Sequence, residues 1–215
     1  IRDNRMSRGL GDVYKRQTLI SNSEKNAKIV IGLDRDGVIN VDLGTYVTKP
    51  EDFQPISGSL EAVALIKKLG FQIVIITNQG GIQKGLMTQA DVDRVHEKMF
   101  KLFGEAGCPF IEALYYSESS RKDDMYAKPN TGMFKRCEKE HPEIKFAGGY
   151  YVGDKISDLK VAVKMNARPI LVRTGYGMET EKLLNRFTYK KLKAKTKVYN
   201  CLLYTSPSPR DLRLS

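Results

Sequence analysis

The sequence predicts an α/β domain: a Rossmann-like, three-layer, doubly wound and mostly parallel sheet. Two observations predict it. From residue 28 to 172, short runs rich in Ile, Val and Leu alternate with amphipathic stretches of helical period. That is the pattern of strand–helix units whose strands are buried on both faces. Polar residues suited to chemistry fall at the ends of those runs, where open α/β sheets bind their ligands.

Each element has its own signal. Ile29-Val30-Ile31-Gly32-Leu33 reads as a buried strand, closed by Asp34, Arg35, Asp36 and the turn residue Gly37. Residues 41–55 read as a loop. Ser57 can cap a helix whose apolar positions are Leu60, Val63, Ala64, Ile66 and Leu69, with Gly70 as its stop. Residues 71–77 form a second buried strand. Thr88 with Asp91 resembles a capping box, and Val92, Val95, Met99, Leu102 and Phe103 form the stripe of the helix it starts. His96 falls beside that stripe and reads as a surface residue. A third strand follows at 110–116, a short helix at 131–140 ended by Pro142, a fourth strand at 150–153, a helix at 156–165 and a fifth strand at 169–172. Lys197-Val198-Tyr199-Asn200 has the pattern of one further strand. No internal repeat or low-complexity segment interrupts this order.

The two ends are read separately. Residues 7–17, SRGLGDVYKRQ, and 201–211, CLLYTSPSPRD, match translations of the two strands of an adapter used in transposase-based DNA library preparation. Residues 1–17 and 201–215 are therefore expected to be adapter-derived, and 18–200 to be the domain, its C-terminus truncated. Over the full 215 residues, 36 Lys and Arg face 25 Asp and Glu, a net +11. Without the two ends, 29 face 22, a net +7. Lys190, Lys191, Lys193, Lys195 and Lys197 supply much of that excess with no aromatic ladder among them, so the run reads as a solvated surface. Cys108 and Cys137, with no CxxC and no Cys/His cluster, argue against a disulfide framework. No signal peptide and no bilayer-spanning apolar run is apparent. The expectation is a cytoplasmic monomer with no membrane partner and no expected nucleic-acid partner.

Four polar features fall at successive strand ends: Asp34 with Asp36, Thr77-Asn78-Gln79, Lys128-Pro129, and Gly153-Asp154-Lys155 with Asp158. In that order they resemble the four motifs of the haloacid dehalogenase superfamily of phosphohydrolases. Within it, Leu33-Asp34-Arg35-Asp36-Gly37-Val38-Ile39-Asn40, Asp42-Leu43-Gly44-Thr45-Tyr46-Val47, Thr77-Asn78-Gln79-Gly80-Gly81-Ile82, Val152-Gly153-Asp154-Lys155 and Leu171-Val172-Arg173-Thr174-Gly175 are similar to the D-glycero-D-manno-heptose 1,7-bisphosphate 7-phosphatases and histidinol-phosphate phosphatases.

The resemblance implies a phosphomonoesterase acting on a small phosphorylated substrate. Asp34 would be the nucleophile that forms an aspartyl phosphate, and Asp36 the general acid and then base. Thr77 and the amides of Asn78 and Gln79 would hold the phosphoryl oxygens, and Lys128 would neutralise charge. Asp34, the backbone carbonyl of Asp36 and Asp154 would bind Mg²⁺, while Asp158 would orient Lys128 or a metal-bound water. Asp42, Gly44, Tyr46 and Lys155 would contact substrate. Only eleven residues separate Tyr116 from Lys128, too few for the superfamily's mobile cap.

Two departures stand out. The segment before Lys128 lacks the Cys and His of the zinc loop many relatives carry, so zinc is not expected. Ala127 stands where the family has a substrate-recognising arginine; Arg121, Lys122 or Lys84 is a candidate to replace its charge. A heptose bisphosphate is the first substrate expected; histidinol phosphate and a polynucleotide 3′-phosphate are the enzymatic alternatives. A silent phospholigand-binding domain is the other class of reading, and the presence of Asp34, Asp36, Lys128 and Asp154 together argues against it.

Overall fold

The structure, a computed structural model, describes residues 29–205. Residues 1–17 and most of the second stretch read as adapter-derived lie outside them. Six strands form one sheet: β1 (Val30–Leu33), β2 (Gln72–Asn78), β3 (Ala113–Ser117), β4 (Tyr150–Gly153), β5 (Arg168–Val172) and β6 (Lys197–Tyr199). Their order is β3-β2-β1-β4-β5-β6 and every pairing is parallel. Between β1 and β4 the chain stops building toward one edge and starts toward the other. A crevice opens at the carboxyl ends of strands at such a switch point.

The helices are α1 (Ser59–Lys68), α2 (Gln89–Glu105), α3 (Gly132–Glu140), α4 (Ile156–Lys164), α5 (Gly177–Leu184) and the one-turn α6 (Lys190–Lys193). Strand alternation sends successive side chains to opposite faces, and both faces are covered. On one, Ile31, Leu33, Ile73 and Ile75 pack with Val63 and Ile66 of α1 and Val95, Met99 and Phe103 of α2. On the other, Val30, Val74, Ile76 and Tyr151 pack with Met133, Phe134 and Cys137 of α3 and Val161 and Ala162 of α4. Gly32 leaves room for an aromatic neighbour: a Cβ there would stand 2.5 Å from Cδ2 of Tyr151. The Tyr151 ring therefore packs close over Gly32 of β1, and its hydroxyl reaches the site below.

Several boundaries move from the sequence reading. The first helix begins at Ser59 with Gly58 as its N-cap, and the Ser59 hydroxyl donates to the Ile39 carbonyl at 2.6 Å. The third strand begins at Ala113, not at 110, because its ladder with β2 starts at the pair Val74–Ala113. Phe110 instead stays exposed, with the Lys67 ammonium 3.9 Å from its ring centroid. The Thr88–Asp91 capping box forms as read. The strand at 197–199 pairs with β5, and the lysines at 190, 191, 193, 195 and 197 are all exposed. Leu202, within the second stretch read as adapter-derived, is buried in the first core cluster. Among the described residues no helix is long and apolar enough to cross a membrane.

Candidate active site

The switch point gathers the polar ends of β1, β2 and β4, together with Lys128, which is not at a strand end as read but in a turn between β3 and α3. The Asp34 N–H donates to the Val152 carbonyl at 2.9 Å, stitching the end of β1 to β4. One carboxylate oxygen of Asp34 accepts from the Arg35 N–H at 2.8 Å and meets the Lys128 ammonium at 2.8 Å. Lys128 is buried, and its ammonium also reaches Asp158 Oδ1 at 2.8 Å, the Ile76 carbonyl at 3.0 Å and the Tyr151 hydroxyl at 3.0 Å. Three hydrogens thus face four acceptors, and the lysine has no freedom to leave. Its backbone is clamped as well: Lys128 N–H donates to Asn78 Oδ1 at 2.9 Å, and the Asn78 amide donates back to the Lys128 carbonyl at 3.2 Å.

Asp154 and Asp158 come from β4 and the start of α4. A Cβ on Gly153 would stand 2.2 Å from that of Asp158, so only glycine lets this turn close. Asp158 Oδ2 accepts from the Lys155 N–H at 3.0 Å, capping α4 and turning the other oxygen to Lys128. Asp154 is fully buried; its Oδ2 accepts from the Tyr176 N–H at 2.8 Å while its Oδ1 has no hydrogen-bond partner. Gly37 and Gly175, both at positive φ, press against Oδ2: a Cβ would come within 2.2 Å and 2.3 Å of it.

One oxygen each of Asp34, Asp154 and Asp158 lies within 4.8 Å of the others. Burial raises Asp34 and Asp154, the latter to about 8 with the other two carboxylates adding to the push, whereas the neighbouring lysines pull down. Burial alone would lower Lys128, but Asp158 and Asp34 hold it well above the usual lysine range. A desolvated, all-oxygen cluster with an orphaned oxygen fits a hard divalent cation such as Mg²⁺.

Asp36 has the opposite surroundings. Its Oδ1 accepts from Arg35 Nη2 at 3.0 Å, Arg35 Nε at 3.2 Å and the Asn40 amide at 2.9 Å. Its Oδ2 accepts from Arg35 Nη2 and the Gln79 amide, each at 3.0 Å. Burial works against the charge, yet Arg35 and these donors hold Asp36 below the ordinary carboxylate range. Thr77 lies buried beside it, its hydroxyl accepting from the same Gln79 amide at 3.0 Å. The side-chain amides of Asn78 and Gln79 are thus engaged with Lys128 and Asp36, and the Gln79 N–H donates to the Ser117 carbonyl at 2.7 Å.

The remaining candidates line the rim. Asp42 Oδ2 accepts from the Lys155 ammonium at 3.0 Å, and its Oδ1 from the Gly44 N–H at 2.9 Å. Gly44 takes a positive φ of 71°. Tyr46 packs on Gly81, and the Lys84 ammonium stands 5.4 Å from the Tyr46 ring centroid. Arg121 is exposed and paired with Asp123, whereas Ala127 is buried. A cavity of about 280 Å³ lies alongside, between Ile82, Gln83, the end of β3 and Tyr126. It touches none of Asp34, Asp36, Lys128 or Asp154, so the charge cluster marks the reaction centre better than the cavity does.

Two residues were misjudged or passed over in the sequence. His96 is not on the surface: it is 1% exposed, and its Nε2 lies 3.1 Å from Arg35 Nη1. Its spacing, four after Val92 and three before Met99, puts it on the buried stripe, which is the signal that could have placed it. The sequence assigns Arg35 no role between its two aspartates, yet its side chain is wholly buried.

Residues 20–169 match the family described as polynucleotide kinase 3 phosphatase. A D-glycero-β-D-manno-heptose-1,7-bisphosphate 7-phosphatase of Pseudomonas putida is 36% identical over 148 residues, covering 69% of this chain and 84% of that one. Its Escherichia coli counterpart is 36% identical over 154 residues, covering 67% and 79%. The crystal structure of the D,D-heptose 1,7-bisphosphate phosphatase of B. bronchiseptica, complexed with magnesium and phosphate, superposes with a TM-score of 0.74 at 28% identity, over 83% of this chain and 96% of that one.

Proposed function

The chain belongs to the polynucleotide kinase 3 phosphatase family, within the haloacid dehalogenase superfamily of phosphatases, and we propose that it removes the 7-phosphate of D-glycero-D-manno-heptose 1,7-bisphosphate through an aspartyl phosphate on Asp34. The observation that carries this reading is the contact of Asp34 with the Lys128 ammonium at 2.8 Å, beside the unpartnered oxygen of Asp154.

Asp34 attacks phosphorus and the ester oxygen departs with a proton from Asp36. A water then attacks the aspartyl phosphate, gives its proton to Asp36 and releases phosphate. Lys128 offsets the charge that gathers on nucleophile and phosphoryl oxygens. Asp34, the Asp36 carbonyl and Asp154 would hold Mg²⁺, which supplies Lewis-acid neutralisation of the phosphoryl group when bound. Asp158 fixes Lys128, and Asn78 and Gln79 fix Lys128 and Asp36. A phosphate dianion arriving beside Asp36 raises its proton affinity, which supports its passage to the acid form.

Asp42, Gly44, Tyr46 and Lys155 would hold the sugar. Of the cations that could replace the missing arginine, Arg121 is paired with Asp123, whereas the Lys84 ammonium stands 5.4 Å from the ring centroid of that loop's Tyr46 and has no carboxylate partner among the described residues. We assign it to the second phosphate. We take the chain to act as a monomer, and the substrate class fits the cytoplasm.

The test is phosphate release in Mg²⁺ from heptose 1,7-bisphosphate, histidinol phosphate and a 3′-phosphorylated oligonucleotide, with Asp34→Asn as control. The expected result is preference for the heptose, lost with Asp34→Asn and with chelator. Preference for the oligonucleotide would keep the chemistry and replace the substrate.

A further inference from the structure

Arg35 is a buried cation whose contacts divide between two edges. Nε and Nη2 face the Asp36 carboxylate, and Nη2 also donates to Gln79 Oε1 at 3.0 Å. Nη1 points the other way, to His96 Nε2 at 3.1 Å. An arginine has no acceptor, so this contact requires an unprotonated Nε2 on His96. Burial, and then the Arg35 charge, push His96 well below its ordinary value, consistent with a neutral ring. The Tyr116 ring, 5.6 Å away centre to centre, flanks the imidazole.

We propose that His96 is a positioning residue for the general acid–base group: it anchors the far edge of the Arg35 guanidinium and so fixes the direction in which the Asp36 carboxylate is held. The inference rests on the phosphatase reading above. Without an acceptor at His96, a buried Nη1 loses its partner, and a buried unpaired donor on a charged group is costly enough to turn the guanidinium. Gln79 and Asn40 touch the same carboxylate and would move with it. Among the described residues Asp34, Lys128 and Asp154 have no hydrogen bond or ion pair with His96, and Arg35 holds the carboxylate of Asp36 and not its backbone carbonyl, so nucleophile and cation site stay in place.

The consequence is selective. Protonation of the leaving oxygen matters for a poor leaving group and little for a good one. We would measure kcat/KM of wild type, His96→Leu and His96→Gln at saturating Mg²⁺ on a sugar phosphate and on p-nitrophenyl phosphate. His96→Leu keeps apolar volume without an acceptor, whereas His96→Gln places an oxygen near the position of Nε2. The expected result is a loss of about 10- to 100-fold on the sugar phosphate for His96→Leu. On p-nitrophenyl phosphate it should be under about 3-fold, and His96→Gln should recover most of the rate. Should His96→Leu not fold, His96→Asn, whose oxygen falls short of the Nε2 position, makes the same comparison. Equal losses on both esters, or no loss on either, overturn the proposal while leaving the phosphatase reading intact. A wild type inactive on both esters, on histidinol phosphate and on the 3′-phosphorylated oligonucleotide overturns both.

Discussion

Asp34 and Asp36 sit two residues apart at the end of one strand, yet their surroundings are opposite. Around Asp34, three buried carboxylates crowd together, and one oxygen of Asp154 accepts no hydrogen bond, with only the Lys155 ammonium 4.0 Å away. Around Asp36, both oxygens are saturated by Arg35, Asn40 and Gln79. Burial raises the first aspartate; a guanidinium holds the second down. The first region is short of positive charge and calls for a cation from outside. The second is complete within the chain and instead constrains where its carboxylate points. A surplus of buried charge marks where a ligand goes, and a closed network marks a group that is aimed.

The largest break in this contrast is at the nucleophile. Asp34→Asn keeps the shape but removes the attacking oxygen's charge, and phosphate release should fall by at least about 10³-fold in a steady-state assay. Next comes the orphaned oxygen: Asp154→Asn should lower activity by about 100-fold and raise the Mg²⁺ concentration needed for half-activity.

A third prediction concerns stability without metal. Asp154, pushed up to about 8 in the fold, titrates near 3.8 when unfolded. Between those values the folded state binds the extra proton, so stability falls as pH rises, by up to about 1.4 kcal/mol per unit. Melting temperatures of chelated protein should decline over that window, and added Mg²⁺ should restore more stability at pH 8 than at pH 5. A flat profile would mean the carboxylate cluster is not short of charge. The smallest effect is expected at the rim: Lys84→Met should raise KM for a bisphosphate about 5- to 10-fold with kcat little changed, and leave a monophosphate untouched.

The parallel strand–helix alternation and the gathering of motif residues were legible because they depend on local periodicity and on one topological rule. Ile29 to Leu33, the 73–76 run and Tyr150 to Gly153 are apolar at both parities, the pattern of doubly covered strands. Once they are parallel, Asp34, Thr77 and Asp154 must share an edge. The start of the third strand was not legible, since Phe110 is apolar but its backbone precedes the ladder at Ala113. Arg35 and His96 were missed for a related reason. A lone charged residue between two aspartates carries no periodic signal of its burial, and a histidine beside an apolar stripe reads as its border. Only the packing of α2 against the end of β1 brings Nη1 to Nε2. Residues whose function lies in one another are the hardest to see singly.

The central claim is that Asp34 carries the phosphoryl group. Borohydride trapping during turnover, followed by peptide mass spectrometry, reads it directly, because an acyl phosphate is reduced where a free carboxylate is not. Reduction at residue 34, present only with substrate and Mg²⁺ together, is the predicted result. Continued phosphate release with residue 34 unreduced would contradict the account and assign the attack to water.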